Sequence, residues 1–230
     1  MIRGVLFDLD GTLLDTEPDF TDIVNAMLTH HGRKPVDGAM VRKFVSSGAM
    51  SVVRQAFALT DDDHRNQELL KDFLARYSVQ IPQTRAALFD DVEYLLTTLH
   101  ANAVPWGIMT NKARLFSEPL LTKFACFSTC ATLVCPDDVG KGKPDPAGLL
   151  LACKQMALAP EDVLYVGDHP RDIEAAKNAG MPAAAIEWGY LPEDPHISAW
   201  GAQHIATTPR ALLQLLDLRS DLPPDLPGVR

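Results

Sequence analysis

The sequence predicts an α/β fold: a doubly wound, mostly parallel sheet with an all-helical unit inserted after its first strand. Three observations carry this reading. A short apolar run, Val5-Leu6-Phe7, stands near the N-terminus. From Glu17 to about Gln80 the apolar spacing is helical throughout. After Ile81-Pro82, strand-like runs alternate with helical ones, which is how crossover units build a parallel sheet covered on both faces.

Each element follows from its pattern. Val5-Leu6-Phe7 reads as a buried strand that must join the sheet, so the helical stretch after it is an insertion. Within that stretch Phe20, Val24, Met27 and Leu28 recur at helical spacing, as do Leu70, Phe73, Leu74 and Tyr77. Val41, Phe44, Val45, Val52, Val53 and Phe57 form shorter helical pieces around Ser46-Ser47-Gly48. Further strands are expected over 104–110, 131–134, 163–166 and 183–186, with helices near 115–124, 147–156 and 171–179. The expected organisation is a core of residues 1–16 and 82–219, a helical cap of 17–81, and a tail of 220–230. That tail carries Pro223, Pro224 and Pro227 and is expected to lack packed structure.

A chain of 230 residues with 47% hydrophobic and 22% charged residues can bury one sizeable core. Its net charge of −9 excludes the basic footprint of a nucleic-acid binder. No apolar stretch reaches bilayer length, and Asp8 and Asp10 interrupt any signal-peptide pattern, so the cytoplasm is expected. An anionic substrate would need locally placed cations; Lys112, Arg114, Lys141 and Lys143 are candidates. Cys126, Cys130, Cys135 and Cys153 match neither a zinc ribbon nor a redox pair and read as small buried thiols.

The most informative residues are Asp8-Leu9-Asp10-Gly11-Thr12. Alternation along extended backbone lets Asp8 and Asp10 point into one space while Leu9 points away. Gly11 permits a sharp turn, and Thr12 offers an amide and a hydroxyl to an anion. Two carboxylates this close repel unless a cation or a shared proton intervenes, which is a reason to expect Mg²⁺. A carboxylate so held can also attack phosphorus. In an open parallel sheet, ligands bind beyond the carboxyl ends of the strands. There Thr110-Asn111 closes one strand with groups able to hold a phosphate oxygen, and Gly167-Asp168 closes another. Asp172 lies one helical turn on, and Lys143 stands before Pro144-Asp145-Pro146 and a helix start. Taken singly, Thr110-Asn111 and Asp168 could be helix caps, Asp172 a first-turn acid and Lys143 a surface lysine. Their joint occurrence at strand ends makes coincidence a poor account.

With these motifs the sequence resembles the haloacid-dehalogenase-superfamily phosphatases over nearly the whole chain, to about residue 218. The resemblance implies a Rossmann-like core, Asp8 as nucleophile and Asp10 as general acid and base. It implies phosphate binding by Thr110 and Lys143, with Gly11, Thr12 and Asn111 beside them. Mg²⁺ would bind the Asp8 carboxylate, the Asp10 backbone carbonyl and Asp168, with Asp172 supporting through a water or a hydrogen bond. The helical cap would select the substrate, its contact loop contributing Ser47 and Gly48; Arg42 and Arg54 are its nearest cations, though solvent is their simpler environment. An acid at position 10 is similar to phosphatases and phosphomutases rather than dehalogenases. The segments Asn111-Lys112, Arg114 to Pro119, Cys135 to Val139, Arg171 to Glu174, Gly189-Tyr190 and Trp200 to Ala202 resemble the N-acetylmuramic acid 6-phosphate phosphatases, a branch of the phosphoglycolate phosphatase group. The expected activity is thus Mg²⁺-dependent hydrolysis of a small phosphorylated metabolite, N-acetylmuramic acid 6-phosphate or 2-phosphoglycolate. The expected assembly is a monomer or homodimer, with no nucleic-acid or membrane partner. A sugar-phosphate mutase of the β-phosphoglucomutase type and a non-catalytic sugar-phosphate-binding protein remain the alternatives.

Overall fold

The computed structural model describes residues 1–192 and 196–216; the tail of 220–230 lies outside them. In chain order the strands are β1 Gly4–Phe7, β2 Leu14–Asp15, β3 Ala87–Leu88, β4 Trp106–Met109, β5 Leu133–Val134, β6 Val163–Gly167, β7 Ala183–Ile186 and β8 His204–Ala206. The helices are α1 Glu17–His30, α2 Gly38–Val45, α3 Ala49–Phe57, α4 Asn66–Gln80, α5 Val92–Ala101, α6 Arg114–Leu121, α7 Pro136–Val139, α8 Ala147–Gln155, α9 Pro170–Asn178 and α10 Pro209–Leu215.

Six strands form one sheet in the order β5-β4-β1-β6-β7-β8. Every pairing within it is parallel. This is the doubly wound sheet the sequence predicts, with β1 at its centre. All four residues of β1 are buried, as a parallel strand covered on both faces requires. Alternation sorts the side chains: Val5, Phe7, Leu164 and Val166 pack on one face with Leu95, Leu96 and Leu99 of α5 and Leu212 and Leu213 of α10. Leu6, Tyr165, Ala183 and Ala185 pack on the other with Leu149 and Ala152 of α8 and Ile173 and Ala176 of α9.

Helices α1 to α4 lie between β1 and β4 in sequence, and their apolar faces join the core on the α5 side. Phe20 meets Phe73 and Tyr77 edge-on, with ring centroids 5.1 and 5.2 Å apart. The chain segments entering and leaving the insertion pair as an antiparallel ladder, Leu14 against Leu88 and Asp15 against Ala87. Between α2 and α3 the chain turns at Gly48 with φ at +95°, a conformation that favours glycine. Cys135 and Cys153 are buried and Cys126 and Cys130 half-buried, all four as free thiols. Burial pushes Cys126, Cys130 and Cys153 up to about 11, so they stay protonated near neutrality.

Candidate active site

The ends of β1, β4 and β6 converge because neighbouring parallel strands all present their carboxyl ends to the same edge. Asp8 follows β1 directly, its N–H donating to the Val166 carbonyl at 2.9 Å. Its Oδ1 accepts from the Leu9 N–H at 2.8 Å and lies 2.8 Å from Lys143 Nζ. Asp168 follows β6, and Asp172 stands in the first turn of α9; both are fully buried. Lys143 Nζ is 2.7 Å from Asp172 Oδ1 and donates to the Tyr165 hydroxyl, which donates onward to the Met109 carbonyl. The Lys143 ammonium has no solvent contact and is oriented by this chain of partners.

One buried ammonium thus pairs with two of three buried carboxylates, Asp8 and Asp172, and leaves Asp168 unpaired among the described residues. Burial pushes Asp168 up to about 7, with the Asp172 and Asp8 charges adding to it and the Tyr190 N–H and Ser46 hydroxyl opposing it. Burial raises Asp172 as well, against the pull of Lys143. Among the described residues, Asp8, Asp168 and Asp172 each offer an oxygen within 4.8 Å of the others. Asp172 Oδ1, though beside Lys143, lacks a hydrogen bond of good geometry. An all-carboxylate, under-neutralised, buried oxygen set fits Mg²⁺. Asp172, expected only to support, thus offers an oxygen to the same group as Asp8 and Asp168.

Asp10 takes a different environment. Its Oδ1 accepts from the Thr16 hydroxyl at 2.7 Å and from Lys112 Nζ at 2.9 Å, while its Oδ2 lies 3.2 Å from Nζ. Lys112 is nearly buried, and its ammonium sits 4.5 Å from the Tyr77 ring centre and 5.2 Å from that of Phe20. A core lysine thus joins the Asp10 carboxylate to two aromatic residues of the insertion. The sequence marks Lys112 only as a candidate cation for the anion.

Several expected anion ligands are engaged with other protein groups in this structure. The Gly11 N–H donates to the Leu14 carbonyl and the Thr12 N–H to that of Leu9, both within the tight turn after β1. The Thr12 hydroxyl points at Asp168 Oδ1, 3.5 Å away. A side chain at Gly11 would collide with Asp168 and Tyr190, and its φ is +85°. Asn111 donates to the Lys143 carbonyl at 3.1 Å and accepts the Lys143 N–H at 2.7 Å, so its amide clasps the lysine segment instead of a phosphate oxygen. Thr110 is buried at the end of β4, and its hydroxyl accepts from the Lys112 N–H at 3.2 Å.

A cavity of about 350 Å³ opens above these groups. Asp8, Asp10, Thr110 and Lys112 form its floor, and Ser46, Ser47 and Gly48 reach it from the insertion. Ser46 goes further, donating to Asp168 Oδ2 at 2.8 Å beside the Tyr190 N–H, also 2.8 Å away. Phe20, Phe73, Tyr77 and Phe116 make an aromatic wall, and Arg171 enters from the start of α9. Helical periodicity marks Phe20, Phe73 and Tyr77 only as packing residues, and no local signal separates the two uses. Arg42 is tied to Asp15 at 2.8 Å and stacks on Tyr190, while Arg54 pairs with exposed Asp61. Neither lines the cavity. Arg114 pairs with Glu118 and Asp138, and Lys141 with Asp145, so they too lie outside it.

The carboxyl edge of a doubly wound sheet thus gathers a strand-end carboxylate, a buried lysine and a second pair of buried carboxylates, the arrangement of an α/β hydrolase site. The chain belongs to the haloacid dehalogenase-like hydrolases, whose family pattern it matches over residues 5–186. It is 41% identical over 216 residues to the N-acetylmuramic acid 6-phosphate phosphatase of Pseudomonas aeruginosa, covering 94% of this chain and 95% of that one. It is 40% identical over 210 residues to a phosphoglycolate phosphatase of Xanthomonas campestris, covering 91% of this chain and 94% of the relative. The fold superposes on a haloacid dehalogenase-like family hydrolase from Streptococcus pneumoniae with a TM-score of 0.78 at 22% identity, covering 94% of this chain and 98% of the other. No helix among the described residues is long and apolar enough to cross a membrane.

Proposed function

We propose that this chain is a Mg²⁺-dependent phosphomonoesterase that works through an aspartyl-phosphate on Asp8, with N-acetylmuramic acid 6-phosphate as its substrate. The observation that carries this reading is that Asp8 and Asp10 open on one cavity while buried Lys143 holds Asp8 from beneath. Asp8 attacks phosphorus in line, and the new Asp8–phosphorus bond forms as the ester bond to the leaving oxygen breaks. Asp10 gives that oxygen a proton, then takes one from the water that attacks phosphorus, breaking the Asp8–phosphorus bond of the acyl phosphate and releasing inorganic phosphate. Lys143 faces the charge that develops on the phosphoryl oxygens, and Thr110 adds a hydroxyl at the same strand edge. Asp8, Asp168 and Asp172, with the Asp10 main-chain carbonyl, would hold Mg²⁺, which when bound supplies Lewis-acid stabilisation of those oxygens. The insertion acts as a cap: Ser46-Ser47-Gly48 and the aromatic wall exclude bulk water and contact the leaving group.

The size and lining of the cavity favour a sugar over a two-carbon leaving group. Its volume of about 350 Å³ falls within the roughly 300–1,000 Å³ of ordinary ligand pockets. Its aromatic wall suits the apolar face of a pyranose. Phosphate release measured over a panel of phosphomonoesters, with and without Mg²⁺, tests the proposal. The expected result is Mg²⁺-dependent release, with the highest kcat/KM on N-acetylmuramic acid 6-phosphate. A higher value on 2-phosphoglycolate would overturn the substrate, release from no compound would overturn the phosphatase, and dependence on a bisphosphate activator would select the mutase.

A further inference from the structure

Arg171 is the one described arginine whose guanidinium meets no protein partner. Arg3, Arg42, Arg54, Arg65, Arg76, Arg85, Arg114 and Arg210 all form ion pairs with carboxylates. Arg33 donates to the Phe57 carbonyl at 2.7 Å. Arg171 lines the active-site cavity instead, and its Nε is buried without a hydrogen-bond acceptor. A guanidinium stays charged at any physiological pH, so holding it in a partly dehydrated cavity with no ion pair of its own is unfavourable, although its charge acts on neighbouring Asp172. The carboxylates nearby are already engaged: Asp172 and Asp8 by Lys143, Asp10 by Lys112.

From this geometry we infer that Arg171 binds a carboxylate carried by the leaving group of the substrate. This rests on the phosphomonoesterase reading and narrows it to phosphate esters of hydroxy acids. The phosphoryl end already has its cation: Lys143 lies 2.8 Å from Asp8. Arg171 forms no ion pair with Asp8, Asp10 or Asp172, so its fork stays open to a different part of the ligand. Its planar fork matches a carboxylate with two parallel hydrogen bonds. A second polar group lines the same cavity. The Tyr77 hydroxyl is buried beside Lys112 with no hydrogen bond of good geometry, and burial pushes it up to about 12, so it remains a donor. The cavity therefore presents a charged fork, a phenol and an aromatic wall to one leaving group. A sugar ring bearing an acid satisfies all three.

The test compares two sugar phosphates that differ in this acid. N-acetylmuramic acid 6-phosphate carries a lactyl carboxylate; N-acetylglucosamine 6-phosphate is the same sugar without it. In wild-type protein the former should have the higher kcat/KM. Arg171→Met should reduce the ratio of the two values by about 10- to 100-fold, the worth of a charge-assisted pair. Most of the loss should appear in KM. Arg171→Lys, which keeps the charge but not the fork, should lose less and serves if the methionine variant folds poorly. Calorimetric binding of both ligands in an Asp8→Asn background, with and without Arg171→Lys, reads the same selectivity without turnover. An unchanged ratio in both assays overturns the carboxylate assignment and leaves the phosphatase reading standing. An equal loss on both sugars places Arg171 at the phosphoryl group and also overturns it. A wild-type protein inert towards every phosphomonoester, yet binding N-acetylmuramic acid 6-phosphate selectively through Arg171, would overturn the enzyme reading alone.

Discussion

Replacing Asp168 by Asn should make the metal-free protein more stable, and only where the native carboxylate is ionised. Asp168 is fully buried, faces Asp8 and Asp172, and has no cation of its own. Burial and those neighbours push it up to about 7 from an ordinary 3.8. The folded state therefore keeps a proton that the unfolded chain loses above about pH 4, and the stability this proton confers disappears as pH rises through about 7. The full gap corresponds to about 4 kcal/mol at alkaline pH. Asparagine keeps the shape and can still accept from Ser46 Oγ and the Tyr190 N–H. Because the amide must also be dehydrated, the net gain should be nearer 2 kcal/mol, or roughly 4–8 °C in Tm for a chain of this size. Thermal unfolding in chelator at about pH 8 should show this rise, and at about pH 4 it should vanish. Added Mg²⁺ should stabilise the wild type, by about 2.7 kcal/mol at a hundredfold excess over Kd, and do little for the variant. A variant no more stable than wild type at about pH 8, a gain that ignores pH, or an undiminished response to Mg²⁺ would each refute the charge argument.

Asp8→Asn should fold normally yet retain less than about a thousandth of wild-type turnover, because the amide is a poor nucleophile; substantial phosphate release would exclude Asp8 from that role. Asp10→Asn should lose about a hundredfold to ten-thousandfold in kcat, and with p-nitrophenyl phosphate it should accumulate trapped phosphoenzyme, since a good leaving group spares the first step. Equal losses for good and poor leaving groups, with nothing trapped, would contradict it. Gly48→Phe should lower kcat/KM on a sugar phosphate by about tenfold, 1.4 kcal/mol, relative to 2-phosphoglycolate. It should also reduce Tm, because φ of +95° is strained for any other residue; an unaltered substrate ranking would place the loop off the substrate path.

The parts of this site that are legible in sequence are those fixed by local chain geometry. Strand β1 and Asp8 can be read together because a buried parallel strand is a continuous apolar run, and the residue after its last apolar position must lie at the carboxyl edge of the sheet. Asp168 is placed by the same logic, Lys143 by its position before a proline-opened helix start, and α1 and α4 by their apolar stripes. Strands β2 and β3 have two residues each and pair across the whole insertion, so neither shows a period of its own. Strand β8, at the sheet edge, has two exposed residues of three and gives no apolar run.

Sequence alone does not supply the pairing of side chains once the strand ends have met. Lys112 follows β4 and Lys143 stands in the loop between α7 and α8, yet both reach the site, one taking Asp10 and the other Asp8 and Asp172. Asn111 has the residue type of a phosphate ligand, but the Lys143 backbone passes within hydrogen-bonding reach and engages its amide on both sides. Gly11 and Thr12 show the same limit, since a turn tight enough to bring Asp10 round consumes the amides an anion would need. In each case the local sequence determines what a residue can offer, whereas tertiary neighbours determine which offer remains open. Arg171 is the converse. Its sequence context, between Pro170 and Asp172 at a helix start, reads as an ordinary first-turn position. Its importance comes from its forming no ion pair among the described residues, in a cavity where every other cation has one.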